Sequence, residues 1–358
     1  MLEIVLGFGT AFLFTYLAIP SVIRIAVLKN LFDEPGERGS HESNIPTLGG
    51  VAIFAGILFS IVLWTPVTIF GDIQYILSAA IILFLIGLKD DIEPIDPKKK
   101  LIGQILASTI LVVKSNVIIT SLYGIMGIYE LPYWFSVVFS IFTIMVIINS
   151  FNLIDGINGL AGSIGVLISI TFGTWFFLVG HIELAIMGFA LAGSLMAFLR
   201  FNITPAKIFM GDTGALLIGM CTSIMAIKFI ELNSEIGINA WAFKSAPAVA
   251  IGILIFPLFD TLRVFCLRII KGRSPMSADR QHIHHLLLDC GLSHMRATSI
   301  LIAVNLLFIL LVVQLQNLGS FNLLMVLFVI AFVMVFFLKR VATGKIVFSA
   351  SNFRKPIL

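Results

Sequence analysis

Asp90 and Asp91 stand side by side after Lys89, with Glu93, Asp96 and Lys98, Lys99 and Lys100 close behind. Adjacent carboxylates repel each other unless a cation or a shared proton relieves them. A solvated acidic helix end is the plainer reading, but acids at a helix C-terminus oppose its dipole. A second group reads Asn149, Asn152, Asp155 and Asn158, a three-residue spacing that lines one helix face until Gly156 and Gly159 turn helix into loop. A third runs from Asn202 through Lys207 and Phe209 to Gly211-Asp212-Thr213-Gly214. Asp212 there is either an N-cap or, in company with the other acids, a ligand for a hard divalent cation. A fourth is Asp279-Arg280-Gln281-His282-Ile283-His284-His285. Its histidines lack a closed set of four zinc ligands, so phosphate or sugar binding suits them better. A fifth spans residues 31–50, with Asp33, Glu34, Arg38 and His41 ahead of Pro46-Thr47-Leu48-Gly49-Gly50. Its glycine pair admits either close helix packing or close approach to a ligand. Acids, a divalent cation and basic donors are the parts that phosphoryl transfer requires.

The elements that must position these groups are membrane helices. Of the 358 residues 59% are apolar and 12% charged, and the mean hydropathy is +1.08, outside the range of soluble domains. The expected fold class is all-α, a polytopic membrane helix bundle forming one domain over residues 1–358. Apolar runs between polar breaks predict eleven spans, at about 2–27, 49–70, 74–88, 101–113, 132–151, 161–179, 184–199, 213–230, 244–270, 298–316 and 321–338. The third, fourth and seventh are short for an upright crossing. All but Lys114, Lys228 and Lys244 of the 23 Lys and Arg residues then fall on one side. The positive-inside rule makes that side cytoplasmic, with the N-terminus outside and the C-terminus in the cytoplasm. All five polar groups share the cytoplasmic face.

Residues 115–133 read as an outer hairpin or interfacial segment. Cys221, Cys266 and Cys290 imply no disulfide framework, and residues 1–9 lack the basic region of a signal peptide, so the first span is expected to be retained. Pro257 is expected to kink the ninth span or free a carbonyl, and Asp260 and Arg263 to pair three residues apart.

At these five ordered motifs, from Asp33 to about Leu288, the chain resembles the polyprenyl-phosphate N-acetylhexosamine-1-phosphate transferases. This family includes the phospho-N-acetylmuramoyl-pentapeptide translocase and the enzymes that begin O-antigen, enterobacterial common antigen and teichoic acid synthesis. The resemblance implies a UDP-N-acetylhexosamine donor, an undecaprenyl phosphate acceptor, UMP as second product, and Mg²⁺ as cofactor with Mn²⁺ as the alternative. By motif position it implies catalytic roles for Asp90, Asp91 and Asp155, and a metal-binding role for Asp212. Nucleotide contacts fall on Thr47, Asn149, Asn152, Asn158, Asn202 and Phe209, and sugar or diphosphate contacts on Arg268, Arg280, His282, His284 and His285. Many members carry an acid where this chain has Asn158, which accepts and donates hydrogen bonds but is no base. The loop between Arg38 and Pro46 lacks the lysine of the peptide-carrying translocases, and His-Ile-His-His resembles the sugar-only branch, so GlcNAc-1-phosphate transfer is preferred. The expected mechanism is direct displacement, with a two-step route through an aspartyl-phosphate as its rival. The bend in the ninth span is expected to open a groove for the polyprenyl tail. Expected partners are UDP-GlcNAc, undecaprenyl phosphate and membrane lipid, with a homodimer as an option and no nucleic acid. The expected location is the bacterial inner membrane, multi-pass, with the site facing the cytoplasm. A nucleotide-sugar or ion-coupled transporter is the competing class. It is disfavoured because the acids sit at helix ends and no paired halves appear.

Overall fold

A computed structural model describes residues 1–32, 45–66, 70–237, 240–272 and 281–344. Its helices are α1 (Leu2–Leu28), α2 (Gly49–Trp64), α3 (Phe70–Ile92), α4 (Pro97–Lys114), α5 (Tyr133–Ile154), α6 (Leu160–Val179), α7 (Ile182–Asn202), α8 (Gly211–Glu235), α9 (Ala246–Ile253), α10 (Ile255–Ile270), α11 (Ile283–Asp289), α12 (His294–Leu315) and α13 (Ser320–Ala342). The segment read as a hairpin contains two short antiparallel strands, β1 (Ser121–Ile125) and β2 (Ile128–Glu130). Tyr123 Oη donates to the Ile230 carbonyl at 2.6 Å and the Thr120 hydroxyl to Glu231 at 2.6 Å. These bonds tie the hairpin to the C-terminal end of α8, opposite the end that carries Asp212.

Each apolar run becomes helix, because lipid leaves intrahelical bonding as the way to satisfy the backbone. Eight of the described helices are long and apolar enough to cross a membrane, or up to nine if α9 and α10 form one broken span. The difference from eleven has local causes. Helix α2 has 16 residues, and α4 opens on Lys98, Lys99 and Lys100. The short third, fourth and seventh runs are longer as helices, since helical geometry continues through the polar ends Lys89–Asp91, Pro97–Lys100 and Arg200–Asn202.

Helix α8 is the hub. Its apolar window is 83% buried, against 22% for α1 and α13, so the latter two form the outer wall. Small residues let the backbones close up, the usual means of packing helices in lipid. A Cβ on Gly50 would run into the backbone of Gly214, and one on Gly49 into the Phe209 carbonyl and the Phe198 ring. Close packing thus accounts for the Gly49-Gly50 pair. Beside it, Gly49 N donates to Phe209 O (2.9 Å), Gly50 N to Met210 O (2.8 Å) and Phe209 N to Pro46 O (2.7 Å).

The predicted distortion near Pro257 appears as an 83° bend between α9 and α10. Proline lacks an N–H and crowds the carbonyl four residues earlier, here Ile253. That carbonyl accepts from Asn305 Nδ2 at 3.1 Å, while Asn305 Oδ1 receives Phe256 N at 3.3 Å. One buried amide on α12 therefore braces both sides of the break.

Candidate active site

The C-terminal ends of α3, α5 and α7 and the N-terminal ends of α4 and α8 meet at one end of the bundle. Helix α4 starts where it does because Asp96 caps it, accepting from Lys98 N at 2.7 Å, with Pro97 in the first turn. This start aims Lys100 across at α3 and α8. Its ammonium pairs with Asp90 Oδ2 at 3.1 Å and also with Asp212 Oδ2. Asp212 Oδ1 receives Asn152 Nδ2 at 2.6 Å, and Asp90 Oδ1 receives Ile95 N at 2.8 Å. Four elements thus converge on one cation, and the cation is a lysine.

Asp91 does something else. Met210 precedes α8 without a capping side chain, and Gly211 takes a left-handed φ of 72°. Asp91 supplies the cap from α3, accepting from Asp212 N at 2.6 Å, Thr213 N at 3.1 Å and the Thr213 hydroxyl at 2.5 Å. A Cβ at Gly211 would strike that carboxylate and the Thr47 carbonyl. The acid pair divides, with Asp90 facing the cation and Asp91 holding the helix that carries Asp212.

Asp155 ends α5 and forms no hydrogen bond or ion pair among the described residues. Burial, then the nearby Asp91 charge, hold its carboxyl well above the usual carboxylate range. The adjacent Gly156 lies against the His284 ring, which a Cβ there would hit. Neither nitrogen of the buried His284 has a hydrogen-bond partner among the described residues. Burial, followed by the charge of His285, pushes His284 down to about 3. The rings of His282 and His284 stack 5.6 Å apart, and those of His284 and His285 meet at 4.2 Å. His282 Nδ1 pairs with Asp260 at 2.9 Å.

The amides expected to contact a nucleotide are unequally placed. Asn149 exchanges hydrogen bonds with Gln104 at 2.8 and 3.4 Å and donates to the Met145 carbonyl, so it clasps α5 to α4. Asn202 receives Gly159 N at 2.7 Å and donates to Ile208 O at 2.9 Å, which engages both ends of its amide in holding the loops. Asn158 donates to the Thr204 hydroxyl at 3.0 Å, while its Oδ1 is buried without a partner among the described residues. Thr47 and Phe209 are half-buried beside the α8 N-terminus. Arg268 is buried on α10, its guanidinium 5.8 Å from the centre of the Phe265 ring. Arg280, Asp33, Glu34, Arg38 and His41 lie outside the described residues. Sequence reasoning placed Lys100 near the acid pair without giving it a role, and passed over Gln104. Their four-residue spacing on a helix capped by Asp96 was the available signal.

The sequence profile of glycosyl transferase family 4 matches residues 73–230, which contain the acid pair, the Asn-rich motif and Asp212. The undecaprenyl-phosphate alpha-N-acetylglucosaminyl 1-phosphate transferase of Escherichia coli (strain K12) is 30% identical over 298 residues, covering 80% of this chain and 77% of that protein. The chain belongs to glycosyl transferase family 4. The enzyme of the same name from Yersinia pestis is 30% identical over 295 residues, 81% of this chain and 76% of that protein. A probable undecaprenyl-phosphate N-acetylglucosaminyl 1-phosphate transferase of Bacillus subtilis (strain 168) is 29% identical over 354 residues, 96% of this chain and 92% of that protein. As a family 4 member the chain is a multi-pass membrane transferase, and the converging helix ends are its candidate active site.

No three His, Cys, Asp or Glu side chains among the described residues form a ready metal cage. Magnesium in phosphoryl-transfer sites needs none, because one or two carboxylates hold it together with substrate oxygens and water. Asp90 and Asp212, already gathered around an ammonium, fit that role.

Proposed function

We propose that this family 4 transferase moves GlcNAc-1-phosphate from UDP-GlcNAc to undecaprenyl phosphate, releasing UMP, at the cytoplasmic face of a bacterial inner membrane. The observation that carries the reading is the convergence of Asp90, Asp212, Lys100 and Asn152 at one end of the bundle, next to Asp155, which has no partner among the described residues. The names of the relatives support the substrates, and the concentration of Lys and Arg on that side supports its facing the cytoplasm.

In this mechanism an oxygen of the acceptor phosphate attacks the β-phosphorus of the donor. The bond from that phosphorus to the bridging oxygen breaks, and UMP leaves with the oxygen. Asp155 takes a remaining proton from the acceptor phosphate, whose second pKa is about 6 by analogy with other phosphate monoesters. A carboxyl with raised proton affinity is matched to that transfer. Lys100 offsets the crowding of Asp90 and Asp212 and donates to diphosphate oxygens. Asp212 and Asp90 would hold Mg²⁺, with Mn²⁺ as the alternative, and an ion bound there would supply neutralisation of charge on the departing phosphate. Thr47 and Phe209 contact the nucleotide, and His282, His284 and His285 the sugar and diphosphate.

Beyond the bend, an apolar cavity of about 180 Å³ lies between α10, α11, α12 and α13, lined by Ile255, Phe259, Ile283, Leu287, Phe308 and Leu338 among others. It takes the isoprenyl units nearest the acceptor phosphate. Incubating purified protein with sugar-labelled UDP-GlcNAc and undecaprenyl phosphate tests the whole reading. Label is expected in the lipid extract with one UMP released per lipid product. Label that never becomes lipid-linked overturns transfer, and equal use of other UDP-sugars overturns the choice of donor.

A further inference from the structure

Asp260 is fully buried in the second turn of α10, at a place where a lone carboxylate is costly. Three contacts account for it. Its Oδ1 receives Arg263 Nη2 at 2.8 Å and Ile283 N at 3.1 Å, and its Oδ2 faces His282 Nδ1 at 2.9 Å. Arg263 Nη2 also donates to the Gln281 carbonyl. The pair that local spacing suggests within one helix therefore pins three consecutive residues, Gln281 to Ile283, of the histidine arm onto α10.

An ionised carboxylate only accepts hydrogen bonds, so His282 Nδ1 carries the proton. That fixes the tautomer of the neutral ring and leaves Nε2 as the nitrogen presented to a ligand. The neighbouring His284 ring has no such support, since both its nitrogens lack partners among the described residues. Two stacked histidines of one motif are thus held differently, and Asp260 makes the difference.

We infer that Asp260 is a positioning residue for the transfer reaction: it holds His282 with Nδ1 protonated and aims Nε2 at the sugar-diphosphate end of the donor. The inference rests on the proposed donor. Asp260→Asn tests it with little change in shape. Because Oδ1 serves two donors, the amide oxygen stays there and the new NH₂ faces His282 Nδ1, which must then accept and shift its proton to Nε2. The expected result is a fall in kcat of at least about tenfold, the scale on which misplaced proton donors and acceptors act. The KM for UDP-GlcNAc is expected to change far less. In a His282→Gln background the same substitution is expected to add almost nothing. An equal loss in both backgrounds means Asp260 only supports the fold, and overturns the proposal. If the variant does not fold, ¹⁵N shifts of histidine-labelled wild-type protein, assigned with His282→Gln, decide instead. A neutral His282 protonated on Nε2 overturns the proposal, and protonation on Nδ1 upholds it. A wild-type protein that fails to transfer GlcNAc-1-phosphate overturns the function while leaving the tautomer result standing.

Discussion

Asp91→Asn and Asp90→Asn, made separately, distinguish two carboxylates that a motif treats as one. Asp91 accepts three hydrogen bonds at the start of α8, from Asp212 N, Thr213 N and the Thr213 hydroxyl. Asn keeps one acceptor oxygen and turns an NH₂ toward a backbone N–H, leaving that donor unpaired at a cost of about 1–3 kcal/mol. The remaining bonds lose charge assistance and the α8 dipole loses a counter-charge worth about 0.3–1 kcal/mol. The sum is about 2–4 kcal/mol, or roughly 3–5 °C in melting midpoint for a chain of 358 residues. Asp90 instead meets one backbone N–H and a partly exposed Lys100, so Asp90→Asn costs about 1 kcal/mol. The assay pairs a thermal melt in detergent, followed by tryptophan fluorescence, with transfer of label to lipid. Both variants are expected to lose most activity, Asp90→Asn with a near-normal midpoint and Asp91→Asn with a clearly lowered one. An Asp91→Asn protein that melts with the wild type yet is inactive refutes the capping argument and returns Asp91 to the chemistry.

Lys100→Met leaves Asp90 and Asp212 without their shared ammonium and removes a donor to the diphosphate. Turnover is expected to fall about 10²–10³-fold, the effect of deleting one preorganised donor, and unchanged initial rates would show Lys100 to be a bystander. His284 is held down to about 3 from its ordinary 6.5, so the folded protein binds fewer protons than the unfolded one between those values. Its contribution to stability is fully present above about 6.5 and is lost as pH falls toward 3. The wild-type melting midpoint is expected to fall relative to that of His284→Leu as pH drops across that range, and a gap that stays constant would refute the burial argument.

The sequence revealed the helices better than their junctions. Apolar runs announce membrane spans because the bilayer penalises polar residues. The ends Lys89–Asp91 and Arg200–Asn202 escaped that test because they remain helical while leaving the apolar zone. Pro257 signalled a distortion, but the bend falls upstream, at the carbonyl its ring crowds, and Asn305, nearly fifty residues away, was invisible as its brace. The site shows the same limit. Residue types at Asp90, Asn152, Asp155 and Asp212 were enough to nominate an acid cluster, since polar groups at a membrane edge are rare enough to be informative. Which acid holds a helix, which faces a cation and which is left unpartnered depends on contacts between distant helices.

Those contacts also explain why so much of the polar chemistry is not aimed at a ligand. A site at the junction of five helix ends must satisfy their loose N–H and C=O groups as well as bind substrate. Asp91 caps α8, Asp96 caps α4, Asn202 ties the loop after α5 to the loop after α7, and Gln104 with Asn149 locks α4 to α5. Subtracting these leaves Asp90, Lys100, Asn152 and Asp212 around one charge centre, with Asp155 and His284 beside it lacking a hydrogen-bond partner among the described residues. The remainder is what a phosphoryl-transfer site needs, namely fixed charges where phosphate oxygens gather and one acid poised to accept a proton. The clasps keep those few groups from drifting when a charged donor enters, and preorganisation of that kind is where such catalysts gain most of their rate.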